Sequence, residues 1–401
     1  MGPKRKQPLQ KPSSSKSRKG RSPTDLSVPT PPSDLSAIST NAEDDLSWAI
    51  TKRNAGARID QYELVGEHNR RRETILKQSL HALLEWLPPG GRDYHAKIIR
   101  DAKTDYEIWK HFESVCCHLA APSRSTMKFF EQPMNFDEPS SGPQDNMTDH
   151  ARVVADTITD PQARVPEFPQ TLARRDDHRC VITGHMSFDR WREIGGPDDS
   201  AANLVGAHII SFAYASWKTP VSSPFQYRLR RNIHTNVYKV VKTRRSNAWV
   251  MLYESFPTLE RVIHSTSINH PSNGITLRHD LHTFFGGFKL AFQATGQPHE
   301  YHVRVFGDVS HYALKDFLDP ITLGNAASDE EGIALPDPAL LDCHYRIANI
   351  LHASGMGETV EKLMREWDDL KQGPGCHGLR EDGKTDVETF LSAGLWDCVN
   401  G

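Results

Sequence analysis

The chain has no run of apolar residues long enough to cross a membrane. A membrane-spanning helix needs about 18 or more consecutive, mainly apolar residues, and no such run occurs in the 401 residues. The N-terminus also lacks the apolar segment that a secretory signal requires. We therefore expect an intracellular protein, in the nucleus or the cytoplasm, with no membrane partner.

Paired cysteines are missing as well. The chain has six cysteines, at positions 116, 117, 180, 343, 376 and 398, and no two of them form a Cys-x-x-Cys pair. Such pairs commonly hold a structural zinc ion. Their absence predicts free thiols in a reducing compartment and a core that is held together by packing.

Acidic residues are absent between Asp199 and Glu254, although the whole chain has a formal net charge of −3. Cations supply most of the sequence-independent affinity for a phosphate backbone, so the basic residues of this stretch are candidate nucleic-acid-binding residues. They are Lys218, Arg228, Arg230, Arg231, Lys239, Lys242, Arg244 and Arg245. The interleaved aromatic residues could stack on unpaired bases or belong to the core; they include Tyr214, Trp217, Phe225, Tyr227, Tyr238 and Trp249.

Residues 1–45 are rich in Lys, Arg, Ser and Pro and poor in aliphatic residues. Such a composition cannot bury enough apolar surface to offset the entropy of ordering, so we expect a disordered basic tail. The run Pro3-Lys4-Arg5-Lys6 could be a nuclear localisation signal or a nucleic-acid tether. A solvated tail without a role is an equally open alternative.

Residues 46–121 are predicted to form a helical region. Leucines recur at helical spacing in one long helix from Ala57 to Leu87, which Pro88-Pro89-Gly90-Gly91 should end. A second helix is predicted from Asp105 to Ala120. The region could be a scaffold or an interaction surface. Residues 122–170 are rich in Pro, Ser, Asp and Asn and are predicted to be a linker.

Three motifs, far apart in the chain, carry the functional signal. They are His208 in Gly206-Ala207-His208-Ile209-Ile210, the pair Asn273-Gly274, and His282 in Leu281-His282-Thr283-Phe284-Phe285; Cys180-Val181-Ile182-Thr183-Gly184 lies upstream. In this order they resemble the HNH endonuclease family, in the branch common among fungal proteins, over residues 171–310. The resemblance implies an α+β fold in which an HNH (ββα-metal) core carries an N-terminal helical region and a C-terminal helical extension.

Local patterns outline the elements of this core. We expect the strand Cys180–Ile182 to pair with Leu204–Ile210, followed by a helix over Arg278–Phe285. Alternating apolar residues on both sides of Thr295-Gly296 predict a hairpin. In the extension, residues 311–375, one helix is predicted from Leu335 to Leu351 and another from Glu358 to Leu370, with a tail over 376–401.

The resemblance also assigns roles. His208 corresponds to the general base, a role that suits a neutral imidazole near physiological pH. His282 corresponds to the ligand of a divalent metal, which we expect to be Mg²⁺, with Mn²⁺ or Zn²⁺ as alternatives and no organic cofactor. Asn273 corresponds to the residue that ties down the intervening loop, because its amide can donate and accept hydrogen bonds at once.

Two positions depart from the family pattern, and both concern the metal. Ala207 stands where many relatives have a second ligand, and Gly286 stands where some relatives have a ligand one turn after His282. His279 or Asp280 could supply the missing ligand. Alternatively, the site has few protein ligands and several waters, or activity has been lost.

Taken together, these features predict a metal-dependent endonuclease that hydrolyses phosphodiester bonds of DNA, in preference to RNA, with low sequence preference. The alternative is a catalytically degenerate HNH-fold module that binds nucleic acid or protein. Asn273, His208 and His282 are the predicted catalytic residues.

Overall fold

The computed structural model describes residues 42–63, 73–120, 162–195, 200–215, 246–307, 309–326 and 332–358. Helices dominate the first part of the described chain, and helices and short strands are mixed in the rest, so the fold class is α+β. The helices of the first part are α1 (Ala42–Asp60), α2 (Leu76–Trp86), α3 (Pro89–Asp101) and α4 (Asp105–Val115), which a π-helical segment (Cys116–Ala120) extends.

The helix predicted from Ala57 to Leu87 is wrong in its extent. Ala57–Asp60 form the end of α1, residues 61–63 are not helical, and α2 begins at Leu76. The repeat of buried leucines is confined to α2 and its C-cap, whereas α1 buries only Ala55 and Ile59 in its second half. The leucine spacing therefore identifies α2, and polar residues with helical propensity extended the prediction too far towards the N-terminus.

The Pro-Pro-Gly-Gly segment ends α2, as predicted, and it also begins α3, which was not predicted. Pro89 takes the first helical position, where a missing N–H costs nothing. A Cβ at Gly91 would lie 1.9 Å from the carbonyl oxygen of Ser255. Glycine is therefore required where α3 touches the helical residues 246–255, and the buried ring of His95 in α3 also bonds to Oγ of Ser255 at 3.0 Å.

The second part contains α5 (Glu167–Arg175), β1 (Met186–Ser187), α6 (Phe188–Ile194), β2 (Ala201–Ala202), β3 (Leu204–His208), β4 (Gly274–Arg278) and α7 (His279–Gly286). Strands β1 and β2 are parallel, and β3 and β4 form an antiparallel pair. Helix α7 follows β4 directly, one residue later than predicted at each end. Helix α5 begins inside the segment predicted to be a linker, of which residues 122–161 lie outside the described residues.

The predicted partner of β3 is wrong. Cys180–Ile182 form no strand with β3; the antiparallel neighbour of β3 is β4, with His208 opposite Gly274. Residues around Cys180 form a tight turn instead, in which Gly184 N bonds to Cys180 O at 2.8 Å. Cys180 and Ile182 are nevertheless buried. Their apolar character therefore reflects packing in the core, which a short apolar run does not distinguish from strand formation.

Helix α5 lies against the β3–β4 pair because two glycines leave room for it. A Cβ at Gly206 would lie 2.9 Å from Cα of Pro169, and a Cβ at Gly274 would lie 2.5 Å from Cζ of Phe168. Since real Cβ atoms do not approach so closely, both positions need glycine. The close contact places the ring of Phe168 beside the end of β3.

A buried ion pair fastens the end of α5 to β4. The guanidinium of Arg175 donates to both carboxylate oxygens of Asp176, at 2.8 and 3.0 Å, and to the carbonyl of Gly274 at 2.8 Å. Asp176 in turn accepts from Thr276 N at 2.9 Å. Every charge is hydrogen-bonded, as buried ions require, so the start of β4 is fixed relative to α5.

The remaining elements are the hairpin β5 (Leu290–Ala294) and β6 (Glu300–Val305), the short helix α8 (His311–Leu314), the edge strand β7 (Ile321–Thr322) and the helix α9 (Pro338–Ala353). The predicted hairpin is confirmed, with Ala294 opposite Tyr301 next to the turn. Phe285 of α7 is only 1 % exposed. Its ring stacks on the ring of His344 in α9 at a centroid distance of 3.8 Å.

Several predictions fall on residues that the structure does not describe. These are the basic tail, most of the linker, the residues of the second C-terminal helix beyond Glu358, and the tail over 376–401. Among the described helices, none is both long and apolar enough to span a membrane.

Candidate functional site

His208 is the last residue of β3, and aromatic rings hold its imidazole on two sides. The ring of Phe168 stacks on it at a centroid distance of 4.2 Å and an interplanar angle of 14°. The ring of Phe212, in the turn after β3, lies 5.4 Å away and is tilted by 45°. Because side chains alternate along a strand, the preceding Ala207 points into the core and is 1 % exposed.

Asn269 determines which nitrogen of His208 carries the proton. The Nδ2 amide of Asn269 donates to the carbonyl oxygen of Ala163 at 2.9 Å, so its Oδ1 must be the atom that faces Nε2 of His208 at 3.1 Å. An amide oxygen only accepts, hence Nε2 of His208 is the donor. In the neutral ring the lone pair is then on Nδ1, which is the nitrogen able to accept a proton.

Burial lowers the pKa of His208 to about 4. The hydrogen bond to Asn269 acts in the opposite direction, while the neighbouring charges of Arg164 and His282 lower the pKa further. The cause is physical, since a largely desolvated imidazole gains little from taking up a proton next to another cation. His208 is therefore neutral at physiological pH and available as a proton acceptor.

Asn273 is buried and binds the chain that follows His208. Its Oδ1 accepts from Ile210 N at 2.8 Å, and its Nδ2 donates to Ile210 O at 3.1 Å and to Ile268 O at 2.9 Å. Its own carbonyl accepts from Ile209 N at 3.0 Å. Asn273 thus holds the backbone on both sides of the loop, whereas the contact to the imidazole itself comes from Asn269.

His282 lies on the first turns of α7 and is half-buried. Burial lowers its pKa, and the charges of His279 and Arg164 lower it further. His279 precedes His282 by three residues, so the two imidazoles share one face of the helix, and His279 is exposed. The charge of His282 also lowers the pKa of His208, so the β3–β4 pair and α7 bring the two residues near each other.

Asp280 is not free to bind a metal. The guanidinium of Arg278 donates to both of its carboxylate oxygens, at 2.7 and 2.9 Å, and this pairing keeps the pKa of Asp280 low despite partial burial. Arg278 thus removes Asp280 from the candidate ligands, because a paired carboxylate would have to give up both hydrogen bonds. No carboxylate takes its place at Ala207 or Gly286.

The donor atoms present determine how well the site fits a divalent cation. In the described part of the chain, no group of three or more His, Cys, Asp or Glu side chains could hold a metal ion. His282 and His279 offer imidazole nitrogens on one helix face, which suits a cation whose other ligands are water and phosphate oxygens. Imidazole nitrogens suit Zn²⁺ and related ions, whereas Mg²⁺ prefers oxygen ligands.

The eight basic residues predicted to bind nucleic acid, from Lys218 to Arg245, all lie outside the described residues. Two aromatic residues that flank them are described. Tyr214 and Trp249 are 0 % and 1 % exposed, and their rings pack against each other at 5.4 Å. These two belong to the core, so neither can stack on a base.

Three residues near His208 were missed from the sequence: Asn269, Phe168 and Arg164. Asn269 lies four residues before the recognised Asn273-Gly274 pair, and nothing in its spacing marks it. Phe168 and Arg164 lie in the segment interpreted as a linker. The helical spacing of Phe168 and Leu172, both buried on one face of α5, was the one available signal.

A scan against protein-family models matches residues 180–293 to an HNH endonuclease model. No curated protein and no solved structure gives a significant match. The matched segment contains β3, β4 and α7 together with His208, Asn269, Asn273 and His282, and it supports a nuclease or another activity on nucleic acid. The match does not distinguish a fungal branch, which stays a prediction. Residues 180–293 are therefore similar to the HNH endonuclease family.

Proposed function

We propose that this protein is a metal-dependent endonuclease that hydrolyses phosphodiester bonds of DNA, in preference to RNA, with low sequence preference. One observation carries the proposal: His208 is neutral, its ring is clamped between aromatic side chains, and Asn269 binds Nε2 so that Nδ1 is left as acceptor. A general base needs a neutral ring that presents an acceptor nitrogen. Nuclear or cytoplasmic action is part of the same proposal.

In the proposed reaction, His208 acts as general base. Its Nδ1 accepts the proton of a water molecule as that water attacks the phosphorus atom, and the bond from phosphorus to the leaving oxygen breaks. Phe168 and Phe212 restrict rotation of the ring, and Asn269 stabilises the imidazolium that forms, because its carbonyl oxygen continues to accept from Nε2–H. A correctly oriented base removes much of the entropic cost of the step.

His282 is the proposed protein ligand of the divalent cation, with His279 as the additional candidate on the same helix face. A bound divalent cation would supply Lewis-acid stabilisation of the charge that develops on the phosphoryl and leaving oxygens. The lowered pKa of His282 keeps its imidazole neutral, and a neutral nitrogen is what coordination requires. The preference for Mg²⁺ over Mn²⁺ or Zn²⁺ rests on the family resemblance and is weakened by the imidazole donors.

The proposed nucleic-acid contacts come from the basic stretch between β3 and β4. Lys218 to Arg245 carry eight cations without an intervening acid. In the chain, this stretch follows the residues after β3 and precedes the helical residues 246–255. Phosphate contacts of this kind position a duplex without reading its sequence, which supports low sequence preference.

A second candidate function is a degenerate HNH-fold module that binds nucleic acid or protein without cutting. The pairing of Asp280 with Arg278 favours it, since this salt bridge leaves imidazoles as the described candidate ligands. The two candidate functions share the fold and differ in whether the site cleaves phosphodiester bonds.

A plasmid-nicking assay separates them. The full chain is incubated with supercoiled plasmid and Mg²⁺, Mn²⁺ or Zn²⁺, with chelator as the negative control and His208→Ala as the matched variant. We expect nicked and linear products that need a divalent ion and that disappear in the variant. Binding to the plasmid without nicking under any of the three ions would favour the degenerate module.

A further inference from the structure

The segment that precedes α5 is fastened to the candidate site by two hydrogen bonds. Nδ2 of Asn269 donates to the carbonyl of Ala163 at 2.9 Å, and the backbone N of Gln162 donates to the carbonyl of Ala215 at 2.9 Å. Asn269 is also the residue that orients His208. The backbone next to Arg164 is therefore bound directly to the group that holds the proposed base.

The guanidinium of Arg164 belongs to the same stack of rings as His208. Its Cζ lies 5.2 Å from the centroid of Phe212, and the same ring lies 5.4 Å from the ring of His208. A cation over an aromatic face is held by the ring quadrupole. The ring of Phe212 thus lies next to both the guanidinium of Arg164 and the imidazole of His208.

The charge of Arg164 reaches both histidines of the site, since it lowers the pKa of His208 and of His282. Other arginines of this region are occupied: Arg175 is bound to Asp176, and Arg278 is bound to Asp280. Within the described ranges, no carboxylate pairs with Arg164, whose side chain is exposed. Among the described residues, the site therefore presents the exposed cation of Arg164 beside the imidazoles of His208 and His282.

We propose that Arg164 binds a non-bridging oxygen of the phosphate that is cut. This assignment rests on the proposed nuclease function, and it adds a residue that lies before the matched segment 180–293. A guanidinium binds phosphate oxygens through two parallel hydrogen bonds. When negative charge builds on those oxygens during attack, the same contact becomes stronger, which is the condition for lowering the barrier.

The test compares Arg164→Ala and Arg164→Lys with the wild type on two substrates. One is plasmid DNA, and the other is bis(p-nitrophenyl) phosphate, which has a single phosphodiester and no neighbouring phosphates. Arg192→Ala is the matched control. Arg192 is exposed and pairs with Asp189 on α6, and its substitution removes the same charge as Arg164→Ala. Circular dichroism and melting of each variant exclude a folding defect.

We expect Arg164→Ala to lower kcat/KM by about 100-fold or more on both substrates, the size typical for removing one donor to a developing oxyanion. Arg164→Lys should recover part of the loss, and Arg192→Ala should leave both activities unchanged. A loss confined to DNA would mean that Arg164 contacts a remote backbone phosphate, and this result would overturn the proposal. Unchanged activity on both substrates would overturn it as well.

Anion binding tests the inference separately from catalysis. Inorganic phosphate is titrated into the full chain, and the imidazole resonances of His208 and His282 are followed by NMR. The wild type and Arg192→Ala should bind phosphate saturably, and Arg164→Ala should bind it at least about 10-fold more weakly. If no variant nicks DNA but this difference persists, the nuclease proposal fails while the phosphate site stands. Equal binding by the wild type and Arg164→Ala removes the phosphate site.

Discussion

Asn269 accepts a hydrogen bond from Nε2 of His208 at 3.1 Å. The two residues are 61 positions apart, and their contact gives the imidazole a defined tautomer and orientation. Asn269 is itself oriented by the carbonyl of Ala163. The site therefore contains a chain of polar contacts, in which Asn269 specifies the reactive nitrogen of His208.

Asn269→Ala should lower the cleavage rate by about 10- to 100-fold, the usual cost of removing a partner that orients a functional histidine. The loss should appear in kcat more than in KM, because the variant still binds DNA. Steady-state kinetics of plasmid nicking measures it, with the exposed Asn203→Ala as control. Wild-type kcat in the variant would show that the hydrogen bond has no catalytic role.

His208→Ala and His282→Ala should fail in different ways. Without the base, cleavage should disappear while metal affinity and DNA affinity stay nearly intact. Without the proposed ligand, metal binding and cleavage should be lost together, since few other side chains can hold a hydrated cation. Calorimetric titration with Mn²⁺ and the nicking assay check both. Identical behaviour of the two variants would contradict the assignment of separate roles.

Gly274→Ala should disturb the site through packing alone. The added Cβ would meet Cζ of Phe168 at 2.5 Å and Cδ1 of Leu172 at 2.6 Å, so α5 must shift and the ring on His208 must move. We expect a loss of about 1–3 kcal/mol in the free energy of unfolding, together with reduced activity. Gly324→Ala, where the added Cβ meets nothing within 4 Å, is the control. The free energy of unfolding is measured by denaturant titration. Equal losses in Gly274→Ala and Gly324→Ala would refute the packing argument.

Acid should destabilise the protein between about pH 6.5 and pH 4. Burial lowers the pKa of His111 and of His208 to about 4 and that of His344 to about 3. The unfolded chain binds protons below about pH 6.5, whereas the folded chain does so only near the lowered values. The contribution of these histidines to the free energy of unfolding is therefore fully present at neutral pH, and it is lost as the pH drops through this window.

Each of these histidines should contribute roughly 2 kcal/mol to the difference in stability between pH 7 and pH 5. His344→Phe keeps a ring between Phe285 and Phe288 but cannot titrate, so the variant should show a smaller loss on acidification. Chemical unfolding at the two pH values measures it. An equal loss in the variant and the wild type would mean that His344 takes up its proton without unfolding.

Arg244→Ala combined with Arg245→Ala should weaken DNA binding about equally for all sequences. Fewer counterions are released when fewer phosphates are neutralised, so the slope of log affinity against log salt should become shallower by about 2. Fluorescence anisotropy at several salt concentrations measures the slope. An unchanged slope would remove this part of the basic stretch from the interface.

The sequence by itself determined the elements that depend on local pattern. Helix α7 after Asn273-Gly274, the hairpin around Thr295-Gly296 and the helix α9 follow from periodicity, glycine and proline, which act over a few residues. The order of His208, Asn273 and His282 was sufficient to indicate the family. The same local reasoning failed for Cys180–Ile182 and for the extent of the first helices, because an apolar run indicates burial and not the element that is buried.

Only the tertiary structure decided what surrounds the reactive imidazole. The partner of β3, the stacking of Phe168, the contact from Asn269 and the position of Arg164 all join residues that are distant in sequence and carry no shared motif. The pairing of Asp280 with Arg278 was equally hidden, although the two are only two positions apart, because a carboxylate near a histidine is equally compatible with metal binding and with a salt bridge. Burial and charge at close range are properties of the packed chain, and they determine the pKa of His208 and the side chains that are left to bind a metal.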